Sequence, residues 1–390
     1  MKTIYFVAGE VSGDNHGAAL LQAMRELDVD LAAGRVHPNG GLAFSGRGGP
    51  QMKAIAGAGF NNWLAEAAVL GFWEVVRKYG YFRRQFHETL QEIAQQKPDA
   101  VVLIDYPGFN LRLARAIHQR RLTRKLIYYI SPQVWAWNSG RIKQMAQHLD
   151  LMLCIFPFEA DLYNKSGLRT KFVGHPMMER LRARKVDIAR DPNLIGIFPG
   201  SRRREVDKIL PIVLETANEL RKMKPSLRFE ISAASEQLAR EIERLWHRHP
   251  ADEIHALEAH ATIKIGDAAG LMQRASTGIV ASGSATLEAA YFRMPFVLIY
   301  KVSWATYLPA RAVVNLKYLG MPNVLANREV VPEFIQHRAK PRALSKAIMR
   351  LIDDPAARGK MISDFDAIIG SLGEGGASMQ AARAIVQELA

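Results

Sequence analysis

Two stretches of this 390-residue chain combine residue types suited to phosphate and sugar chemistry. In residues 278–290 the apolar run Gly278-Ile279-Val280-Ala281 leads into a small-residue turn, Ser282-Gly283-Ser284-Ala285. A helix is expected to open at Thr286-Leu287-Glu288. Small residues let phosphates approach the backbone, and the free N–H groups of a first helical turn attract anions. Glu288 then sits where it can accept hydrogen bonds from a sugar diol; the plain alternative is a solvated first-turn acid. In residues 198–205, Gly200 permits an unusual turn, Ser201 can cap the next helix, and Arg202 offers a planar fork for a diphosphate. Three arginines in a row cannot all face one ligand, which leaves Arg203 and Arg204 to solvent or acidic lipid.

Acid–base candidates lie in the other half. Asp105 ends the apolar run 100–104 beside Pro107-Gly108, where burial can hold a carboxyl at a pKa useful to a general base. The alternative is an Asp that accepts N–H bonds in its own turn. Glu10, Asp14 and His16 are the other titratable groups expected near it. Residues 9–17 do not follow the dinucleotide fingerprint, and no Lys-Ser/Thr pair follows Gly200 as an ATP-hydrolysing loop requires. His175, before Pro176, reads as a hinge residue with a satisfied ring. No metal-spaced cluster and no G-x-S-x-G elbow is found, so neither metal nor cofactor is expected.

The elements that must position these residues follow an alternating pattern. Strands are expected at 4–8, 43–45, 100–104, 126–130, 151–156 and 170–173, with a turn at 9–14 and a helix over 18–27. A second series runs 194–198, 227–231, weakly 254–263, then 278–281 and 296–300. Helices are expected at 205–223 (containing Pro211), 237–247, 271–274 and 376–389. Short apolar strands alternating with helices predict parallel sheets with ligand loops at the strand carboxyl ends. That rule brings 9–14, Asp105 and 131–137 to one edge. The divisions drawn are 1–175, 176–360 and a C-terminal helical piece, 361–390, that could pack on the first.

Net charge is +14, which favours an anionic partner. The one cysteine, Cys154, lies in an apolar run and excludes an intrachain disulfide. The apolar run at 4–8 is too short for a signal-peptide core, and no run suits a membrane-spanning helix. Residues 63–86 stand apart: Val69, Leu70, Phe72, Trp73, Val76 and Phe82 accompany Arg77, Lys78, Arg83 and Arg84. This describes a helix lying in an anionic membrane interface, against the alternative of a helix covering the first sheet. Elsewhere aromatics and cations are not interleaved, which argues against a nucleic-acid partner.

Taken together, nine collinear segments resemble the lipid-A-disaccharide synthase family, inverting glycosyltransferases of the GT-B fold. They are 8–14 (AGEVSGD), 48–52 (GGPQM), 104–110 (IDYPGFN), 131–137 (SPQVWAW), 156–159 (FPFE), 173–176 (VGHP), 199–202 (PGSR), 282–288 (SGSATLE) and 322–325 (PNVL). The resemblance implies two Rossmann-like α/β domains facing each other across a cleft. It implies condensation of UDP-2,3-diacylglucosamine with 2,3-diacylglucosamine 1-phosphate into a β-1,6 disaccharide 1-phosphate and UDP. Arg202 with Gly200 and Ser201, then Ser282, Gly283, Ser284, Ala285, Thr286 and Glu288, fall in the UDP site. Asn323 joins that site from the resemblance alone, and Asp105 matches the proposed base. The acceptor would face the first domain, where Glu10, Ser12, Gly13, Asp14, His16 and Gln133 are candidates. The expected setting is the cytoplasmic face of an inner membrane, with monomer and homodimer both open. A UDP-N-acetylglucosamine 2-epimerase or the peptidoglycan N-acetylglucosaminyltransferase is the alternative. The chain departs from the family pattern at 32–44 and at Met178-Glu179.

Overall fold

A computed structural model describes residues 1–32, 41–64, 79–136, 140–247, 260–313 and 316–389. Within it the chain divides into two compact units, residues 1–178 with 372–390, and residues 179–371. The C-terminal helical piece is therefore shared: helix Pro355–Ser371 falls in the second unit and helix Ala377–Leu389 in the first.

The first unit holds seven parallel strands: β1 (Lys2–Ala8), β2 (Leu42–Gly48), β3 (Phe60–Asn62), β4 (Ala100–Ile104), β5 (Lys125–Tyr129), β6 (Leu151–Cys154) and β7 (Thr170–Phe172). Their spatial order is β3-β2-β1-β4-β5-β6-β7. Strands buried on both faces need apolar residues at every position, and all five residues of β4 are buried. Alternate side chains serve two cores. Ile4, Phe6, Val102 and Ile104 pack beneath helices Val11–Ala32 and Ala377–Leu389, through Leu20, Leu21 and Ile385. Tyr5, Val7, Val101 and Leu103 pack with Leu90, Ile93 and Leu113 on the opposite side.

The second unit repeats the plan with six strands: β8 (Asp191–Phe198), β9 (Arg228–Ala233), β10 (Ala261–Ile265), β11 (Ala275–Ala281), β12 (Phe296–Tyr300) and β13 (Glu333–Ile335), ordered β10-β9-β8-β11-β12-β13. All pairings are parallel. In each sheet the strand order reverses once, between β1 and β4 and between β8 and β11. Crossover helices leave such a point on opposite faces, and ligands of open α/β sheets bind outside the carboxyl ends there.

One expected turn is absent. Residues 9–14 shrink to Gly9-Glu10, and helix Val11–Ala32 begins at once. The polar residues Ser12, Gly13 and Asp14 resemble turn formers, but Gly13 lets the helix lie against the sheet. A Cβ there would stand 3.5 Å from Ala8 Cβ and 3.7 Å from the Ile104 carbonyl oxygen.

Candidate active site

At the first reversal, Ala8 pairs with Ile104, so Gly9-Glu10 and Asp105-Tyr106 leave adjacent strand ends. Both Asp105 and Tyr106 occupy the left-handed region, with φ of 47° and 50°. Two successive non-glycine residues there cost about 1–3 kcal/mol each and need an enforcing scaffold. The Asp105 carbonyl accepts from the Tyr128 hydroxyl and, at 2.8 Å, from Asn110 Nδ2. Asn110 Nδ2 also donates to the Ile104 carbonyl at 3.1 Å, and Asp105 N donates to the Tyr129 carbonyl at 3.0 Å. The corner is thus fixed largely through its backbone, the carboxyl itself accepting from the Tyr106 N–H. Burial pushes the Asp105 carboxyl above the usual carboxylate range, partly offset by the Tyr106 N–H. The Tyr106 ring fills the space over Gly9, where a Cβ would fall 2.0 Å from ring carbon Cδ1. Burial, then the Glu10 charge, pushes the Tyr106 hydroxyl up to about 12.

The other first-unit candidates separate. Asp14 is buried, and its carboxylate accepts from Gly49 N at 2.8 Å, Gln51 N at 3.0 Å and Met52 N at 3.0 Å. It caps helix Pro50–Ala56 from a distance, a correction to its reading as an acceptor-side acid. Gly13 is likewise packed in. Ser12 and Gln133 are exposed and His16 is half-buried. Trp137 lies outside the described residues.

The loop that carries Gln133 is anchored by a residue to which the sequence reading assigned no role. Glu159 is fully buried and accepts from Ser131 Oγ at 2.6 Å, Trp135 Nε1 at 2.8 Å and Phe156 N at 3.3 Å. Its signal was present: proline at the first and glutamate at the third position of helix Pro157–Lys165 is capping-box spacing. Burial raises the Glu159 carboxyl to about 7, against the pull of the Ser131 and Trp135 donors. The folded chain therefore keeps a proton that the unfolded chain has released. This stability is fully present below the ordinary carboxyl value and is lost as pH rises through about 7. Glu159→Gln should flatten that slope, read as melting temperatures across the mildly acidic range; an unchanged slope would assign it to another group.

Residues 63–86 are described only at their ends. Val69, Leu70, Phe72, Trp73 and Val76 lie outside the described residues. Trp63 is buried, its Nε1 donating to the Ala8 carbonyl at 2.8 Å. Phe82 packs edge-on against it at 6.5 Å. Trp63 belongs to the core that holds Tyr5 and Val7, and half-buried Phe82 packs against it.

At the second reversal Phe198 pairs with Val280, so the 199–202 and 282–284 loops leave adjacent strand ends. Gly200 has φ 115°, and a Cβ on it would fall 2.6 Å from Glu205 Oε2. Glu205 accepts from Ser201 N at 3.3 Å and from Arg202 Nη1 at 2.9 Å. That carboxylate, rather than Ser201, serves the start of helix Arg203–Met223, whose N-cap Arg202 makes no side-chain cap. The Arg202 guanidinium is 79 % exposed, so it can reorient toward an anion. In the facing loop Gly283 has φ 144° and no heavy atom within 4 Å of where a Cβ would stand. Gly283 and Ser284 are exposed, and Ser282 and Ala285 half-buried. Thr286 is buried, its hydroxyl donating to the Gly283 carbonyl at 2.8 Å, so it shapes the turn. Glu288, on helix Ala285–Tyr291, pairs with Arg180 at 3.0 Å and is not simply solvated.

Asn323 has a structural use that the resemblance alone does not indicate. Its side chain is fully buried. Nδ2 donates to the Val331 carbonyl and to Glu333 Oε1, both at 2.8 Å. Oδ1 accepts from Val330 N at 2.7 Å and Val331 N at 2.8 Å. With each capacity of the amide used internally, it fastens a loop. Among the described residues no group of three or more His, Cys, Asp and Glu side chains could hold a metal ion, and no helix is long and apolar enough to cross a membrane.

Two units of parallel sheet, each with glycine-bearing loops at its reversal point, form the α/β architecture of the GT-B type. Solved structures share this fold. The putative UDP-N-acetylglucosamine 2-epimerase of Listeria monocytogenes aligns with TM-score 0.62 and 11% identity, covering 99% of this chain and 96% of that one. A glycotransferase of kitacinnamycin aligns with TM-score 0.58 and 15% identity, covering 100% and 99%. The lipid-A-disaccharide synthetase family model matches residues 4–382. The lipid-A-disaccharide synthase of Geobacter sulfurreducens is 36% identical, covering 99% of this chain and 97% of its own. Lipid-A-disaccharide synthase 1 of Legionella pneumophila strain Paris is 34% identical over the same shares. The chain belongs to the lipid-A-disaccharide synthetase family.

Proposed function

We propose that this chain transfers 2,3-diacylglucosamine from UDP to the 6-hydroxyl of 2,3-diacylglucosamine 1-phosphate, inverting the sugar from α to β. The observation that carries the reading is Asp105, a carboxyl at a strand end whose backbone is held by Asn110 and Tyr128 and whose pKa burial raises. As the acceptor oxygen attacks C1, the C1–oxygen bond to the diphosphate breaks, UDP departs, and Asp105 takes the hydroxyl proton. Arg202 and the backbone of the Gly200 and Ser282–Ser284 turns are the groups offered to the leaving diphosphate, without a metal. Glu288 is assigned to the ribose and Glu10, His16 and Gln133 to the acceptor side. The chain would work on the cytoplasmic face of an inner membrane, into which the acyl chains of both substrates can partition.

Incubation with the two acylated substrates tests this directly. Thin-layer chromatography and mass analysis should reveal a disaccharide 1-phosphate together with UDP. Turnover of UDP-N-acetylglucosamine instead would transfer the site to the epimerase or peptidoglycan reading. Glu288→Gln should weaken UDP binding about tenfold, the order of one hydrogen bond to a charged group. Unchanged affinity in calorimetry would remove Glu288 from the ribose.

A further inference from the structure

Helix Pro107–Arg120 begins directly after Asp105-Tyr106 and separates two cavities of opposite character. On the side of helix Tyr79–Gln96 lies a cavity of 430 Å³ lined by Phe82, Phe86, Tyr106 and Phe109, with Arg83 and Arg112 beside them. Its rings pack on one another, Phe86 on Phe109 at 5.8 Å and Tyr106 on Phe109 at 6.1 Å. On the side of helix Gly140–His148 lies a cavity of 190 Å³, where Arg112, Arg115 and Arg141 meet His148. Gly108 and Arg112 belong to both. Positions 108, 112 and 115 are spaced four and three apart, so they share one face of the helix. A Cβ on Gly108 would meet no heavy atom within 4 Å, so the helix surface shared by the two cavities is uncovered there. Among the described residues that line the smaller cavity, the titratable groups are Arg112, Arg115, Arg141 and His148.

We infer that the two cavities form one site for an amphiphile, the aromatic cavity taking an acyl chain and the arginine cavity its phosphate. Aromatic walls favour a chain because they bury apolar area, and arginine forks match phosphate oxygens better than a lysine would. The aromatic cavity has the volume of an ordinary ligand pocket. Tyr106 lines it while its neighbour Asp105 is the proposed base, so the amphiphile bound here is the acceptor 1-phosphate. That identification rests on the reaction proposed above. Its consequence is that acceptor and donor are told apart by an exposed phosphate monoester as well as by the acyl chains they share.

Isothermal titration of the full chain with dodecyl phosphate, below its aggregation threshold, tests the site without any sugar transfer. Inorganic phosphate and dodecanol provide separate arms for headgroup and chain. Dodecyl phosphate should saturate and bind more tightly than either. Gly108→Leu, whose Cβ enters open space and which favours helix, covers the surface shared by the two cavities and should weaken dodecyl phosphate about tenfold. The exposed double variant Arg112→Ala, Arg115→Ala should weaken it about as much while leaving dodecanol unchanged. Binding that does not saturate, inorganic phosphate binding as tightly as dodecyl phosphate, or variants that bind like the wild type would each overturn the site. Disaccharide synthesis with unaltered dodecyl phosphate binding in the variants would overturn the site alone. Saturable binding without disaccharide synthesis would retain the site and remove the proposed reaction.

Discussion

Asp105→Asn is expected to lower kcat by about 10²- to 10⁴-fold, the range typical of losing a positioned general base. The substitution preserves shape and removes the capacity to accept a proton. The Asp105–Tyr106 corner should survive it, because the bonds that enforce it run from Tyr128 and Asn110 to the Asp105 carbonyl and not to its carboxyl. UDP affinity should therefore stay within about twofold, an effect confined to the transition state. The pH profile offers a second readout. A base must be deprotonated to act, so activity falls on the acid side as Asp105 takes up its proton. Since burial raises that carboxyl, the acid limb should stand above the range of an ordinary aspartate and vanish in the variant's residual rate. Wild-type turnover in Asp105→Asn would exclude the residue. Glu10, which faces the same Tyr106 ring environment, would then be the next acid to replace.

The central strands were legible because a parallel sheet covered on both faces leaves few polar positions. The run 100–104 coincides with β4, and 296–300 with β12. β3 and β13, at three residues each, were missed: Phe60-Asn61-Asn62 and Glu333-Phe334-Ile335 lack an apolar run, whereas the equally short β7 was read from the 170–173 segment. The start of helix Val11–Ala32 was hidden for a different reason. Ser-Gly-Asp reads locally as a turn, yet Gly13 is there for contact with the sheet and Asp14 for the backbone of a helix 35 residues away. Local chemistry cannot separate those uses.

Site residues divide along the same line. Gly200, Arg202, Gly283 and Asp105 were singled out by residue type and expected strand-end position, and the structure places each just beyond a strand end at a reversal point. Glu159 and Glu205 were passed over, since their worth depends on loops they meet only in the fold. Residues 63–86 illustrate the limit of composition. An aromatic stripe beside arginines suits a membrane interface and a sheet-covering helix equally, and the Trp63 bond to Ala8 decides for the core at that end.

Asn323 separates the two ways of reading a motif most sharply, and its replacement carries the second large effect. Asn323→Ala should destabilise the second unit by about 3–5 kcal/mol, because it strips partners from the buried Val330 and Val331 N–H groups and from Glu333. Glu333 still accepts from Leu319 N and Gly320 N, both within 3.0 Å, so the loop would loosen at one anchor and hold at the other. A fall of about 10 °C in melting temperature is the expected scale for a unit of this size. Below that transition, UDP affinity should remain within about threefold of the wild type, since a loop fastener acts on the population of folded sites more than on their contacts. Had the amide touched the diphosphate, the pattern would invert: a near-normal melting temperature with UDP binding weakened tenfold or more. Measuring both on one preparation decides whether the 322–325 segment marks a ligand contact or the scaffold that shapes one.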